Sequence, residues 1–196
     1  MNINNKKLAS EITRIGDTFY FGNDSPDWNL DHLSDYVYQN HHLYIEKKGP
    51  EIISLLEKLC DIKGHKYPEL HEITTIFKKA LGDLTIHMKK EELILFPFIK
   101  KIAKAYKNNE TFKEPPFGSI SNPIDSMHLD HENEETRFRR IAELSNNYQP
   151  PNDTCTKHKI TFLLLKEFED DLHKHMHIEN NILFKKAILL EKKLRK

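Results

Sequence analysis

The sequence predicts an all-α protein, an up-down-up-down four-helix bundle, and three observations carry that reading. Apolar residues recur in steps of three and four over long stretches, as on the buried face of an amphipathic helix. One such stripe is Phe77, Ala80, Leu84, His87, Glu91, Ile94 and Phe98, and another is Leu165, Phe168, Leu172, His175, Glu179 and Ile182. Glycine and proline gather in a few clusters that divide the chain into four long segments. Short connections between long helices favour antiparallel neighbours, and 196 residues suffice for one domain with a sizeable core.

Taken in order, residues 1–26 read as a short, weakly held N-terminal extension ending in the breaker cluster Gly22-Asn-Asp-Ser-Pro26, and the bundle is expected over 27–196. Asp27 can cap a first helix carrying Leu30, Leu33, Val37, Ile45, Ile52, Leu56 and Leu59, which stops near Lys63-Gly64. Gly49-Pro50 is expected to kink or break it, because proline lacks a backbone donor and crowds the preceding turn. The second helix runs from about Pro68 to Asn108 with a bend at Pro97. A loop from Asn109 to Ser121 holds Pro115-Pro116 and Gly118, and Asn122-Pro123 reads as N-cap and first turn of a third helix over about 123–147. Pro150-Pro151-Asn152-Asp153 closes that helix and caps a fourth, about 154–193.

Charge excludes some functions. Lys and Arg total 30, as do Asp and Glu, so no global excess points to nucleic acid or an anionic membrane. No stretch of 18 apolar residues occurs and the N-terminus lacks an apolar leader core, so a cytoplasmic protein is expected. Cys60 and Cys155 belong to no metal or disulfide pattern and are expected to be reduced, packed thiols. Twelve histidines outnumber six glycines, and histidine is the commonest protein metal ligand.

The histidines lead to the chemistry. Both stripes contain His-x-x-x-Glu at core positions, His87 with Glu91 and His175 with Glu179. An ionised carboxylate buried without a partner costs several kcal/mol, so something inside must compensate, and a metal ion would. Counting helical rise places His42 level with His87 across the first hairpin and His131 near His175 across the second. The halves repeat at spacings of 45 (87 − 42) and 44 (175 − 131), as in a duplicated hairpin. Four imidazoles and two carboxylates without thiolates suit iron or manganese, and two ions sharing both glutamates suit six side chains better than one ion does. Spacing alone over-predicts, since His42-Glu46 and His131-Glu135 show it too; Glu46 reads as solvated and Glu135 as a possible supporting group. Periodicity from Leu30, Leu33 and Val37 favours His41 over His42, and His128 shares a face with His131. His173 and His177 fall off the seam and read as surface residues.

The segments Asp27-Trp28, His41-His42-Leu-Tyr-Ile-Glu, His87-Met-Lys-Lys-Glu91, Asp130-His131-Glu132 and Asp170-Asp171-Leu172-x-x-His175-x-x-x-Glu179-Asn-Asn together resemble the hemerythrin-like domain of the repair of iron centres family, over about residues 27–187. The resemblance implies a di-iron protein, its pair of ions oxo- or hydroxo-bridged, that restores iron-sulfur clusters damaged by nitric oxide or oxidants. It further implies His42, His87, His131 and His175 as iron ligands with Glu91 and Glu179 bridging, and so selects His42 over His41. Implied partners are proteins with damaged iron-sulfur clusters and the small ligands nitric oxide and oxygen, and nitric oxide reduction is one activity open to such a site. A reversible oxygen or nitric oxide binding or sensing module is the alternative function, and a metal-free bundle with paired seam residues is the plainest reading.

Two departures matter. Family members usually carry a short cysteine-containing module before this domain, and residues 1–26 contain no cysteine, so steps that use those thiols are not carried over. Where many members end the first helix in Val-His-Gly, this chain has Ile62-Lys63-Gly64, leaving His65 as a displaced candidate.

Overall fold

A computed structural model describes residues 30–195; the assigned N-terminal extension and the Asp27 cap lie outside them. Four helical rods form the bundle, as the periodicity predicts, and three are interrupted by a single π-helical turn. The first rod comprises α1 (Leu30–Val37), the turn π1 (Tyr38–His42) and α2 (Leu43–Lys63). The second comprises α3 (Glu69–Lys90), π2 (Glu91–Leu95) and α4 (Phe96–Asn108); the third is α5 (Ser121–Leu144) alone. The fourth comprises α6 (Thr156–Ile178), π3 (Glu179–Leu183) and α7 (Phe184–Leu194).

The π turns correct the expected stripe. A π turn carries one residue more than an α turn and so shifts the buried face. Ile94, expected in the core, is 50% exposed, while Leu95 and Phe96 are buried in its place. In the fourth rod the predicted stripe stays buried through Ile182, and Leu183 joins it. In the first rod, π1 lets the adjacent His41 and His42 both turn inward.

Other boundaries differ from expectation for physical reasons. Pro50 does not break the first rod: α2 runs through it, with the ring on the exposed face and core residues Ile45, Ile52 and Leu56 holding the opposite side. Gly49, beside it, lets the first two rods approach closely, for a Cβ there would lie 2.4 Å from Leu81 Cδ1. Pro97 lies in the first turn of α4, directly after the wide turn π2. Asn122 is not an N-cap, since α5 begins at Ser121 and the Asn122 amide donates to the Phe117 carbonyl. The capping group comes from the far end of the chain: Glu191, buried on α7, accepts from the Ile120 backbone N–H at 3.1 Å and from the Ser119 hydroxyl at 2.7 Å. Glu191→Ala leaves those donors unmet inside the protein and is expected to lower the unfolding free energy by about 2 kcal/mol in a denaturant titration.

Packing divides the core in two. One cluster, including Ile45, Leu56, Phe77, Leu84, Phe138, Phe168 and Leu172, fills the half near the hairpin turns. The other, including Leu33, Val37, Leu95, Ile99, Ile124, Met127, Ile182 and Phe184, fills the half near the long loop. Every rod passes from one cluster to the other through a polar position, His41-His42, His87 with Glu91, His131, or His175 with Glu179. A polar layer is thereby sealed above and below by apolar side chains. Of the thiols, Cys60 is buried against the Thr74 hydroxyl as expected, but Cys155, expected to be packed, is exposed immediately before α6. Among the described residues no helix is long and apolar enough to cross a membrane.

Candidate metal centre

All six predicted residues meet in the polar layer, each at most 2% exposed. Their imidazoles form two pairs. His42 Nε2 lies 3.3 Å from His175 Nε2, and His87 Nε2 lies 3.2 Å from His131 Nε2. The carboxylates tie the pairs together. Glu91 Oε2 is 3.3 Å from His42 Nε2 and 3.4 Å from His87 Nε2, while Glu179 reaches His175 Nε2 at 2.9 Å through Oε1 and His131 Nε2 at 3.3 Å through Oε2. Two groups compact enough to hold an ion result, His42-Glu91-His175-Glu179 and His87-His131-Glu179, with Glu179 common to both. His131 and His175 reach one layer across the connection 145–155, in which Asn146, Asn147 and Tyr148 adopt positive φ.

Outer contacts decide what the inner nitrogens can offer. His42 Nδ1 faces Glu92 Oε1 at 3.0 Å, His131 Nδ1 faces Asn180 Oδ1 at 2.9 Å, and His87 Nδ1 faces Asp130 Oδ2 at 3.4 Å. A neutral imidazole that donates from Nδ1 to such an acceptor keeps a bare lone pair on Nε2. Lys89 steadies Glu92 and Lys90 steadies Asp130. His175 is held differently, its ring parallel to that of His41 at 5.6 Å, and His41 in turn bonds Asp171 at 3.1 Å. His41 is thus buried beside the centre and belongs to neither compact group.

The inner atoms have no partner but each other. Among the described residues neither oxygen of Glu91 or Glu179 has a hydrogen-bond partner, although all four are buried. Burial, reinforced by Glu179, pushes the Glu91 carboxyl well above the usual range, while burial of Glu179 is outweighed by His175 and His131, which hold it well below. Burial pushes His175 down to about 4. Asp130, outside the layer, is held at about 2 by His87 and Lys90 against the opposing effect of burial. Imidazole nitrogens and carboxylate oxygens that have only each other as partners converge in one buried layer, and cations between them would be attracted by every one. The residues present therefore fit a metal centre.

The remaining candidates fall outside. His65 is exposed in the turn after the first rod, and Glu46 is exposed and paired with Lys89. His128 is half-buried, edge-on to His131 at 6.5 Å; His173 is exposed, and His177 bonds Asn181. Glu135, considered a supporting group, is exposed. The buried acid of that run is Glu134, whose carboxyl burial pushes up to about 7 against the pull of Arg137. Its signal was available, since Glu134 lies three residues after His131, on the same helical face.

Comparison with known proteins gives the decisive observation. Residues 34–187 match the family model described as the hemerythrin HHE cation binding domain. The chain belongs to the hemerythrin HHE family. Among its relatives in this family is a probable iron-sulfur cluster repair protein of Haemophilus influenzae, 30% identical over 190 residues, covering 95% of this chain and 79% of that one. The iron-sulfur cluster repair protein YtfE of Yersinia pseudotuberculosis is 29% identical, covering 84% of this chain and 70% of its own length. The repair protein DnrN of Neisseria gonorrhoeae is 28% identical, covering 79% and 88% respectively. The HHE match spans the polar layer and both hemispheres of the core.

Proposed function

We propose that this chain is a di-iron protein that repairs iron-sulfur clusters damaged by nitrosative or oxidative stress. The observation that carries the reading is the pair of imidazole pairs joined by two carboxylates whose four oxygens accept no hydrogen bond. His42 and His175 would hold one ion and His87 and His131 the other, with Glu91 and Glu179 shared. Nitrogen and carboxylate donors without thiolate favour iron over a structural zinc, which takes four ligands and usually cysteine. Two iron ions would supply redox chemistry toward nitric oxide or oxygen species, and iron for a damaged cluster.

The protein's own residues determine how such ions are held. Glu92, Asp130 and Asn180 orient three of the imidazoles, and the apolar clusters on either side, with Phe96 and Phe184 stacked on His42 and His131, close the layer along the bundle axis. The named relatives support iron-sulfur proteins as the partners. The test is to incubate protein loaded with ⁵⁷Fe with an iron-sulfur enzyme inactivated by nitric oxide. Recovered activity and ⁵⁷Fe in the client cluster, with no recovery from metal-free protein, are expected. A stable adduct that neither turns over nor loses iron would replace this reading with a carrier or sensor of small ligands.

A further inference from the structure

A cavity of about 140 Å³ opens between α3 and α5 behind one imidazole pair, lined by Asp83, His87, Asp130, His131, Glu134 and Arg137 among others. Glu134 is 3% exposed, and its Oε2 is buried without a hydrogen-bond partner. Its Oε1 accepts from Arg137 Nη1, while Arg137 Nη2 donates to Asp83 Oδ2 at 2.6 Å. One guanidinium thus spans two carboxylates from different helices at the margin of the proposed centre. Asp83 is also paired with Lys79, and Asp130 with Lys90, so each acid around the cavity is held by a basic side chain. Glu134, in the wall of the cavity, keeps a buried oxygen that has no hydrogen-bond partner among the described residues.

We infer that Glu134 and Asp83 form an auxiliary site for one hard divalent cation, in which Arg137 stands in for the ion and swings out when it binds. A cation that takes oxygen ligands, such as Mn²⁺ or Fe²⁺, needs only one or two carboxylates with water completing its shell. Both carboxylates already converge on a positive charge, and Arg137, its side chain 22% exposed, can move its charge into solvent. The free Glu134 oxygen supplies a contact that the guanidinium does not make. Such an ion would sit one step outside the His87 and His131 pair, as cargo held in reserve beside the centre. The inference deepens the di-iron reading in that respect, although binding itself can be tested apart from it.

The test is a Mn²⁺ titration followed by electron paramagnetic resonance and equilibrium dialysis. It compares the full chain with Glu134→Gln, Arg137→Gln and Arg137→Lys variants, and with a Glu91→Gln, Glu179→Gln background in which the centre is disabled. The full chain is expected to bind one ion more weakly than the ions of the centre. Arg137→Gln should tighten that ion by about tenfold or more, because no resident cation has to be displaced, with Arg137→Lys intermediate. Glu134→Gln should remove it and leave the centre's ions in place, and the disabled background should retain it. An extra ion that survives Glu134→Gln, or no extra ion in either the full chain or Arg137→Gln, overturns the inference. Absence of the tight ions in the full chain together with a Glu134-dependent ion in the disabled background would instead overturn the di-iron reading and uphold the auxiliary site.

Discussion

Replacing Glu91 and Glu179 together by glutamine is expected to abolish metal retention and, in metal-free protein, to raise the unfolding free energy by about 2 kcal/mol. The opposite signs come from one cause. Glu91, at 0% exposure, without a hydrogen bond and with its cost of ionisation raised further by Glu179, destabilises the chain unless cations lie between the two carboxylates; the expected gain is net of the hold that His175 and His131 exert on Glu179. A glutamine keeps the volume, removes the charge, and can donate its amide N–H to the Nε2 of His42 or His131. Metal analysis and urea unfolding of both proteins in chelator check the two halves separately. Loss of metal with no gain in stability would show that the carboxylates find neutralisation elsewhere in the apo state. Retained metal would remove them from the ligand set.

Deleting Leu93 is expected to leave the metal-free bundle folded, with a melting temperature unchanged or a few degrees higher, while weakening metal binding at least about tenfold. Leu93 lies in the middle of π2 and is 74% exposed, so its own side chain contributes little to the core. Without it the turn can close as an ordinary α turn, while Leu84 and Met88 before it, and Ile99 and Ile102 after it, keep their faces. What changes is the wide turn that opens at Glu91, whose carbonyl receives the Phe96 N–H across five residues. Two of the π turns begin at the glutamates and the third ends at His42. That coincidence is difficult to explain by packing and follows directly if the turns aim side chains at a metal pair. Circular dichroism melts and metal content of the variant separate the outcomes: an unfolded variant would assign the turn to packing, and undiminished metal would make it incidental.

The bundle and its polar layer were legible because burial imposes a period and a charged residue on a buried period stands out. Glu91 and Glu179 announced themselves in that way. The π turns were not legible as such, since nothing in a local propensity marks one; their trace was the one-residue slip between the expected Ile94 and the observed Leu95 and Phe96. Adjacent histidines posed the same difficulty, for a regular helix turns only one of His41 and His42 inward, whereas π1 brings in both. The N-cap of α5 was misread because the satisfying group, Glu191, is 71 residues away from Ile120 and no local rule points to it. Glu134 escaped notice because a run of acids reads as a solvated face, although its offset from His131 places it on the buried side.

The most direct measurement is the number of iron ions per folded chain, determined by elemental analysis together with Mössbauer spectroscopy on protein expressed with ⁵⁷Fe. Two ions, magnetically coupled and both lost on the Glu91→Gln, Glu179→Gln substitution, are the expected result. One uncoupled ion, or none in protein that melts as cooperatively as the substituted form, would contradict a shared carboxylate centre and leave the polar layer without its proposed cations.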